Sequence, residues 1–285
     1  MAEFLWFGKR CSIDSRPNSD RKMILILLPA YNEEDSLPSL MPKIKLALDG
    51  MGEAYKIIIC NDGSNDRTQQ MLESMSRDFP IEIIRHKINR GLGESSRDLF
   101  EFASEASKVG DVIIRLDCDD THEPEYIPKI VEKVRGGLDV VIASRFAEGG
   151  GQLGVSGYRA FISLGANLFM KVFFSISNVK EYSCGYRGYK AEIIKEAIEV
   201  YGNDFIQLKG LGFTCTLEKL VKLKLIGAKF GEISFILRYN QKQSISKMVS
   251  SVTTLGYFVM TILFHWPWGG WRVSMRNYSS KRCAE

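Results

Sequence analysis

The chain has 285 residues, 45% of them hydrophobic and 25% charged, and a net charge of +4. That length suits one α/β domain with appendages, and the composition excludes a disordered or collagen-like chain. So mild a positive charge gives no case for a nucleic-acid partner, although it suits an anionic ligand or an anionic membrane surface.

In chain order, a short apolar cluster (Phe4-Leu5-Trp6-Phe7) is followed by Lys9 and Arg10. It lacks the longer apolar core of a signal peptide, so residues 1–22 are expected to form an N-terminal arm. Residues 23–28 are an apolar run ending at Pro29, and 35–48 have helical spacing. A second apolar run covers 55–60, a helix is expected at 66–75, and a third run covers 81–85. A helix at 93–108, a strand at 112–116, a helix at 124–134 and a strand at 139–143 follow. Continuous apolar strands alternating with helices imply an α/β fold, its parallel sheet covered on both faces. Further on, 161–174 is apolar with one charge, Lys171, and 183–190 is short and aromatic. Residues 193–200 and 214–224 look helical, 229–239 looks extended, and 248–270 contains no Asp, Glu, Lys or Arg. Six scattered cysteines, Cys11, Cys60, Cys118, Cys184, Cys215 and Cys283, include no C-x-x-C pair. That argues against a zinc site and for a reducing compartment.

Three polar clusters follow three of the strands: PAYNEE (29–34), NDGSNDRT (61–68) and DCDD (117–120). In a parallel sheet all three share the edge where such folds hold ligands. Carboxylates converging there repel one another unless a cation offsets them. Asp117 and Asp119, two residues apart, suit Mg²⁺ or Mn²⁺ that takes its remaining oxygens from a diphosphate. The same carboxylates also suit a loop that caps the helix after Pro124, and Asp62-Gly63 suits an ordinary turn.

The order PAYNEE, NDGS, NRGLG (89–93) and DCD resembles the family 2 inverting glycosyltransferases of the GT-A fold, a Rossmann-like, mostly parallel sheet flanked by helices. ASRFAEGG (143–150), YRAFISLGAN (158–167), YSCGYRGYK (182–190), GFTCTLEKL (212–220) and LRYNQKQSISKM (237–248) look like those of the polyprenyl-phosphate sugar transferases, the group that includes dolichyl-phosphate mannose synthase. The resemblance runs from about residue 25 to 248. It implies a GT-A domain at 23–240, and a C-terminal lid with a membrane-facing helical extension at 241–285.

The resemblance also implies roles. Pro29, Tyr31 and Glu33 would surround the base and ribose of a GDP- or UDP-linked sugar, with Cys60 and Asp62 continuing that pocket. Asp117 and Asp119 would hold the metal, and Cys118 would add backbone contacts. Arg145 would meet the acceptor phosphate or the donor diphosphate, Arg187 would bind an anion, and Arg238 and Lys247 would close over the phosphates. This sequence departs from the pattern in several places. Asn61 stands where many relatives have Asp, Thr121 where many have Gln, and Glu181 where many have Asp. The stretch from 238 to 247 is longer than usual, so Lys242 could share the role of Lys247.

The implied reaction moves a sugar, mannose or glucose, to a polyprenyl or dolichyl phosphate with inversion. A lipid monophosphate is already ionised near neutral pH, with a second pKa of roughly 6, and needs cations rather than a base. A hydroxyl acceptor would need a general base, and Glu218 is the candidate at the position concerned. A non-catalytic nucleotide-sugar-binding protein is the other alternative. A lipid acceptor implies a membrane surface, and by this reasoning the cytoplasmic face, with a small membrane subunit as a possible partner. Residues 161–174 read equally as an interfacial or a core helix. Residues 248–270 start polar and have a dense apolar part only at 255–264, short of the about 20 residues that a span needs. A helix lying in the interface is therefore expected, with Trp266, Trp268 and Trp271, then Arg272 and Arg276, as its anchor.

Overall fold

β1 (Met23–Ala30) runs apolar from end to end because both of its faces are covered. Ile24, Ile26 and Leu28 pack on one side and Leu25 and Leu27 on the other, all fully buried. Each such side chain contributes about 1.5–3 kcal/mol by leaving water. The computed structural model describes residues 22–242 and 249–274. Residues 1–21, Lys247, Arg276, Cys11 and Cys283 lie outside them.

The chain continues through α1 (Leu37–Asp49), β2 (Ala54–Asp62), α2 (Thr68–Met75), β3 (Ile81–His86), α3 (Leu92–Ala106) and β4 (Val112–Arg115). A 3₁₀ turn at Pro124–Tyr126 leads into α4 (Ile127–Arg135), then β5 (Val140–Ser144), β6 (Gly151–Leu153) and α5 (Gly157–Phe174). β7 (Arg187–Lys190), α6 (Ala191–Tyr201), α7 (Thr214–Leu225), β8 (Phe230–Ser234) and β9 (Ile236–Arg238) complete the sheets. The main sheet has seven strands in the order β3-β2-β1-β4-β7-β5-β8. Only β7 runs antiparallel to its neighbours, so the sheet is mostly parallel, as the alternating pattern predicts. β6 and β9 form a separate parallel pair. Sequence pattern misses both β6 and β7, each too short for a periodic signal.

α1, α2 and α4 cover one face of the sheet, and α3, α6 and α7 the other. α7 is buried almost all round, because α8 (Ser250–His265) and α9 (Trp271–Ser274) close over it. The polar start of that charge-free segment has a packing reason. Thr253 is buried and its hydroxyl accepts from Phe213 N–H at 3.4 Å. Gly256 lies so close to α7 that a Cβ there would come within 1.9 Å of Thr214 Oγ1. Met260, Phe264 and Trp271 then join the same core as Leu25 and Ile113. Among the described residues no helix is long and apolar enough to cross a membrane.

The three tryptophans part company. Trp266 and Trp268 are exposed, Trp268 by 93%. Trp271, expected in the same anchor, is only 8% exposed and its ring lies 4.5 Å from Lys222 Nζ. It is a core residue.

Candidate active site

Ala30 pairs with Asn61 and Leu27 with Arg115, so the C-terminal ends of β1, β2 and β4 lie on one edge. The segments 29–34, 61–68 and 117–120 leave the sheet there together. The first two are stitched to each other. Asn32 N–H donates to Ser64 Oγ at 2.9 Å, Asn65 N–H to Asn32 Oδ1 at 2.8 Å, and Glu33 N–H to Thr68 Oγ1 at 2.9 Å. Pro29 and Tyr31 are half-buried at this edge. Glu33 is buried and accepts from Ser36 Oγ at 3.0 Å. Cys60, expected to line the pocket, is fully buried within the core instead. Cys118 is buried as well.

Asp62 ends β2 and gathers the next loop. Its carboxylate accepts Arg90 N–H at 2.9 Å and Gly91 N–H at 2.8 Å, and stands 2.6 Å from His86 Nδ1. Gly63 follows at φ +67, and a Cβ there would meet Ile88 C at 2.3 Å and Asn89 N at 2.5 Å. The glycine of NDGS is therefore required twice over, by its left-handed backbone and by the chain lying on it.

The acid pair leaves β4 held by cations and hydroxyls. Asp117 meets Arg115 Nη2 at 2.6 Å, and its N–H donates to His122 Nδ1 at 3.0 Å. Burial works against its ionisation, but Arg115, His122 and Lys242 keep its pKa below the ordinary value. Burial also pushes the His122 imidazole down, which agrees with Nδ1 acting as an acceptor. Asp119 accepts the Thr121 hydroxyl at 2.7 Å and forms an ion pair with Lys242. Burial opposes the charge on Lys242, yet Asp119 raises its pKa overall. Asp120, at φ +59, turns away to Ser39 Oγ at 2.7 Å and Lys43 Nζ at 3.0 Å. Glu123 lies 3.6 Å from both Lys43 and Arg238. These two carboxylates tie the loop to α1 and to the end of β9.

Two carboxylates two residues apart, already drawing cationic side chains, fit a hard divalent ion in their chemistry. Among the described residues no group of three or more His, Cys, Asp or Glu could hold a metal. An ion at Asp117 and Asp119 would therefore take further oxygens from a ligand or water.

The other predicted cations are placed unevenly. Arg145 donates from Nε and Nη2 to Glu181 at 2.7 and 3.0 Å, from Nη2 to Ser183 Oγ at 2.7 Å, and from Nη1 to Gln152 at 3.3 Å. Of the five N–H groups of a guanidinium, one on Nη1 remains for an anion. Arg238 is partly exposed beside Glu123. Arg187 starts β7 opposite Arg115 at this same edge, but its side chain turns into the core. It is fully buried on β7 and donates to Thr216 O at 2.6 Å and Tyr182 O at 2.7 Å, so the anion-binding role expected for it is corrected to a structural one. Glu218 is fully buried too. It accepts Gln207 N–H at 2.8 Å and Leu208 N–H at 3.0 Å and pairs with Lys222 at 2.5 Å.

Sequence pattern overlooks Arg115, His122, His86 and Asp98. The first and third had a signal: each is a charged or ionisable residue closing an apolar strand at the ligand edge.

Residues 25–198 match the sequence profile of Glycosyl transferase family 2. The chain is 30% identical over 213 residues to a dolichol-phosphate mannosyltransferase of Pyrococcus furiosus, covering 74% of this chain and 55% of that one. It is 32% identical over 182 residues to an undecaprenyl-phosphate 4-deoxy-4-formamido-L-arabinose transferase of Pectobacterium atrosepticum, covering 64% and 53%. The chain thus spans about half the length of these relatives. Among solved structures, glucosyl-3-phosphoglycerate synthase from Mycobacterium tuberculosis, in complex with Mn²⁺, UDP and phosphoglyceric acid, superposes with a TM-score of 0.55 at 17% identity, covering 86% of this chain and 78% of that one. That likeness shows the GT-A-type fold. With the profile match over more than half of its length, the chain belongs to the family 2 glycosyl transferases.

Proposed function

We propose that this protein transfers a sugar from a nucleotide diphosphate donor to a polyprenyl phosphate, with inversion. One observation carries the reading. Asp117 and Asp119 converge at the edge shared with 29–34 and 61–68, and there a lysine from the segment after β9 already sits on Asp119. The GT-A domain would be 23–240, and 241–285 the lid and membrane-associated part.

The nucleotide would lie over the ends of β1 and β2, beside Pro29, Tyr31 and Asp62. Arg115 and Thr121 fix the two carboxylates, so their geometry is preorganised before the donor arrives. The chemistry that Mg²⁺ or Mn²⁺ held by Asp117 and Asp119 supplies is neutralisation of diphosphate charge. Lys242 would leave Asp119 for the donor phosphates, with Arg238 and Lys247 beside it. The remaining N–H of Arg145 would hold the acceptor phosphate. That phosphate is already a nucleophile and needs no protein base. The burial of Glu218 in an ion pair supports this reading over a hydroxyl acceptor.

A lipid acceptor needs a membrane-facing surface, and α5 with α8 supplies a candidate. Phe161, Leu168 and Val172 on α5 and Leu255 and Ile262 on α8 are exposed, while Phe169 and Phe258 join the helices at 5.5 Å. Peripheral association with the cytoplasmic face, with or without a small membrane subunit, follows from the same proposal.

The test is nucleotide release from GDP- and UDP-linked mannose and glucose with Mn²⁺ or Mg²⁺, with and without a short polyprenyl phosphate in detergent. Release that needs the lipid phosphate, and that Asp119→Ala abolishes, is expected. Release with a soluble hydroxyl acceptor alone would overturn the lipid reading. Donor binding without turnover would point to a non-catalytic binding protein.

A further inference from the structure

His86 closes β3 between two carboxylates that come from different elements. Nδ1 lies 2.6 Å from Asp62 Oδ1, and Nε2 lies 2.9 Å from Asp98 Oδ2 on α3. Both carboxylates also accept other donors. Asp62 takes the amides of Arg90 and Gly91, and Asp98 takes Arg97 Nη2 at 2.6 Å. As ionised acceptors they leave the imidazole to supply both protons. Asp62 first, then Asp98, raises the imidazole pKa to about 11, with Cys60 Sγ 3.6 Å away adding to this. The ring is buried, so this charge is not a solvated one.

Asp62 therefore grips both ends of the segment 87–91, His86 at its entry and Arg90 and Gly91 at its exit. The middle of the segment rests on Gly63. Asp62 Oδ1 accepts the Arg90 amide and Oδ2 the Gly91 amide, and a further, charge-assisted partner on Oδ1 holds the carboxylate in the plane that serves both amides. His86 supplies that partner, and Asp98 fixes His86 from behind.

We propose that His86 is a positioning residue, a clamp between Asp62 and Asp98 that sets the Asp62 carboxylate and, through it, the 87–91 segment as a wall of the nucleotide pocket. This rests on the reading of the β1–β2 edge as the place where the donor nucleotide binds. His86 is sealed beneath that edge and does not touch reacting atoms. Its effect falls on donor affinity and not on the chemical step.

The experiment compares His86→Phe, which keeps a ring and removes both N–H groups, with Asp98→Asn, which weakens the clamp from behind. Amide hydrogen exchange at Arg90 and Gly91 reports the segment without any ligand. Calorimetry with GDP and with UDP in Mn²⁺ reports the pocket, and donor KM and kcat report the reaction. In His86→Phe, exchange speeds up and nucleotide affinity falls, each on the order of tenfold to a hundredfold, as loss of a charge-assisted hydrogen bond implies. Donor KM rises by the same factor while kcat stays nearly constant, and Asp98→Asn shifts all three the same way by less. Unchanged exchange at Arg90 and Gly91 in a variant that melts like the parent overturns the clamp. Faster exchange with unchanged affinity for both nucleotides overturns the pocket reading, and the positioning role with it. Should His86→Phe fail to fold, Asp98→Asn decides on Gly91 exchange and nucleotide affinity, because Arg90 Nη1 itself lies 3.4 Å from Asp98 Oδ2 and its amide is not an independent reporter there.

Discussion

Lys219 and Lys222 stand three residues apart on α7, and burial treats them differently. Lys222 has Glu218 one turn back, and burial lowers its pKa only against that partner's pull. Lys219 is 2% exposed and has the Phe100 ring 4.6 Å from its Nζ. Burial pushes it from 10.5 down to about 7. Between those values the unfolded chain holds a proton that the folded chain lacks. Stability contributed at this site therefore rises with pH from about 7 towards 10.5, by at most about 1.4 kcal/mol per pH unit. Lys219→Met fits similar space and carries no charge. It is expected to melt higher than the parent at pH 7, with the advantage shrinking as pH rises to 10. A constant difference across that range in thermal melts would remove the proposed cost. Lys242 makes a second residue-scale case. It neutralises Asp119 and so competes with any divalent ion there. Lys242→Met is expected to bind Mn²⁺ about tenfold more tightly in ligand-free calorimetry. Equal or weaker binding would mean that the pair does not share the ion's place.

At the scale of elements, burial decides what the sequence reveals. β1, β2, β4 and β5 read directly as apolar runs because helices cover both faces. β7 does not, since Arg187-Gly188-Tyr189-Lys190 carries charge at both ends. Arg187 is tolerated inside because the carbonyls of Tyr182, five residues earlier, and of Thr216, on α7, meet it, and no periodic pattern announces carbonyl partners. The acid pair was legible from its place after β4, whereas the His86–Asp98 link joins β3 to α3 and appears only once the chain is folded. α5 is the converse case. Its spacing left core and interface equally open, and the fold supplies both: Met170 and Phe174 face inward while Phe161 and Leu168 face out. If that outer face meets lipid, Phe161→Asp with Leu168→Asp should cut binding to anionic vesicles on the order of tenfold or more. The melting temperature should not move, because neither side chain is buried. Unaltered sedimentation with vesicles would leave the face without a membrane role.

Across the whole molecule, α7 is the piece that links the sheet to the C-terminal helices. Its Thr216 carbonyl receives Arg187 from the middle of the sheet. Its Lys222 carries Trp271 from the far C-terminal helix, with Tyr201 on the other side at 5.8 Å. The core that contains Leu25 and Ile113 runs without a break to Met260, Phe264 and Trp271. The C-terminal helices are thus expected to unfold with the sheet and not as a separate, loosely attached anchor. Trp271→Ala tests this. It removes a buried ring and uncovers the Lys222–Glu218 pair, whose hydrogen bonds also hold Gln207 and Leu208. A cost of about 3–5 kcal/mol is expected, typical of a buried tryptophan truncated to alanine. It should appear as a single melting transition shifted down, seen alike by far-ultraviolet and near-ultraviolet circular dichroism. Trp268→Ala, on the exposed side of the same turn, should melt like the parent. A two-step melt for Trp271→Ala, with the sheet transition left in place, would instead make the C-terminal helices an independent unit.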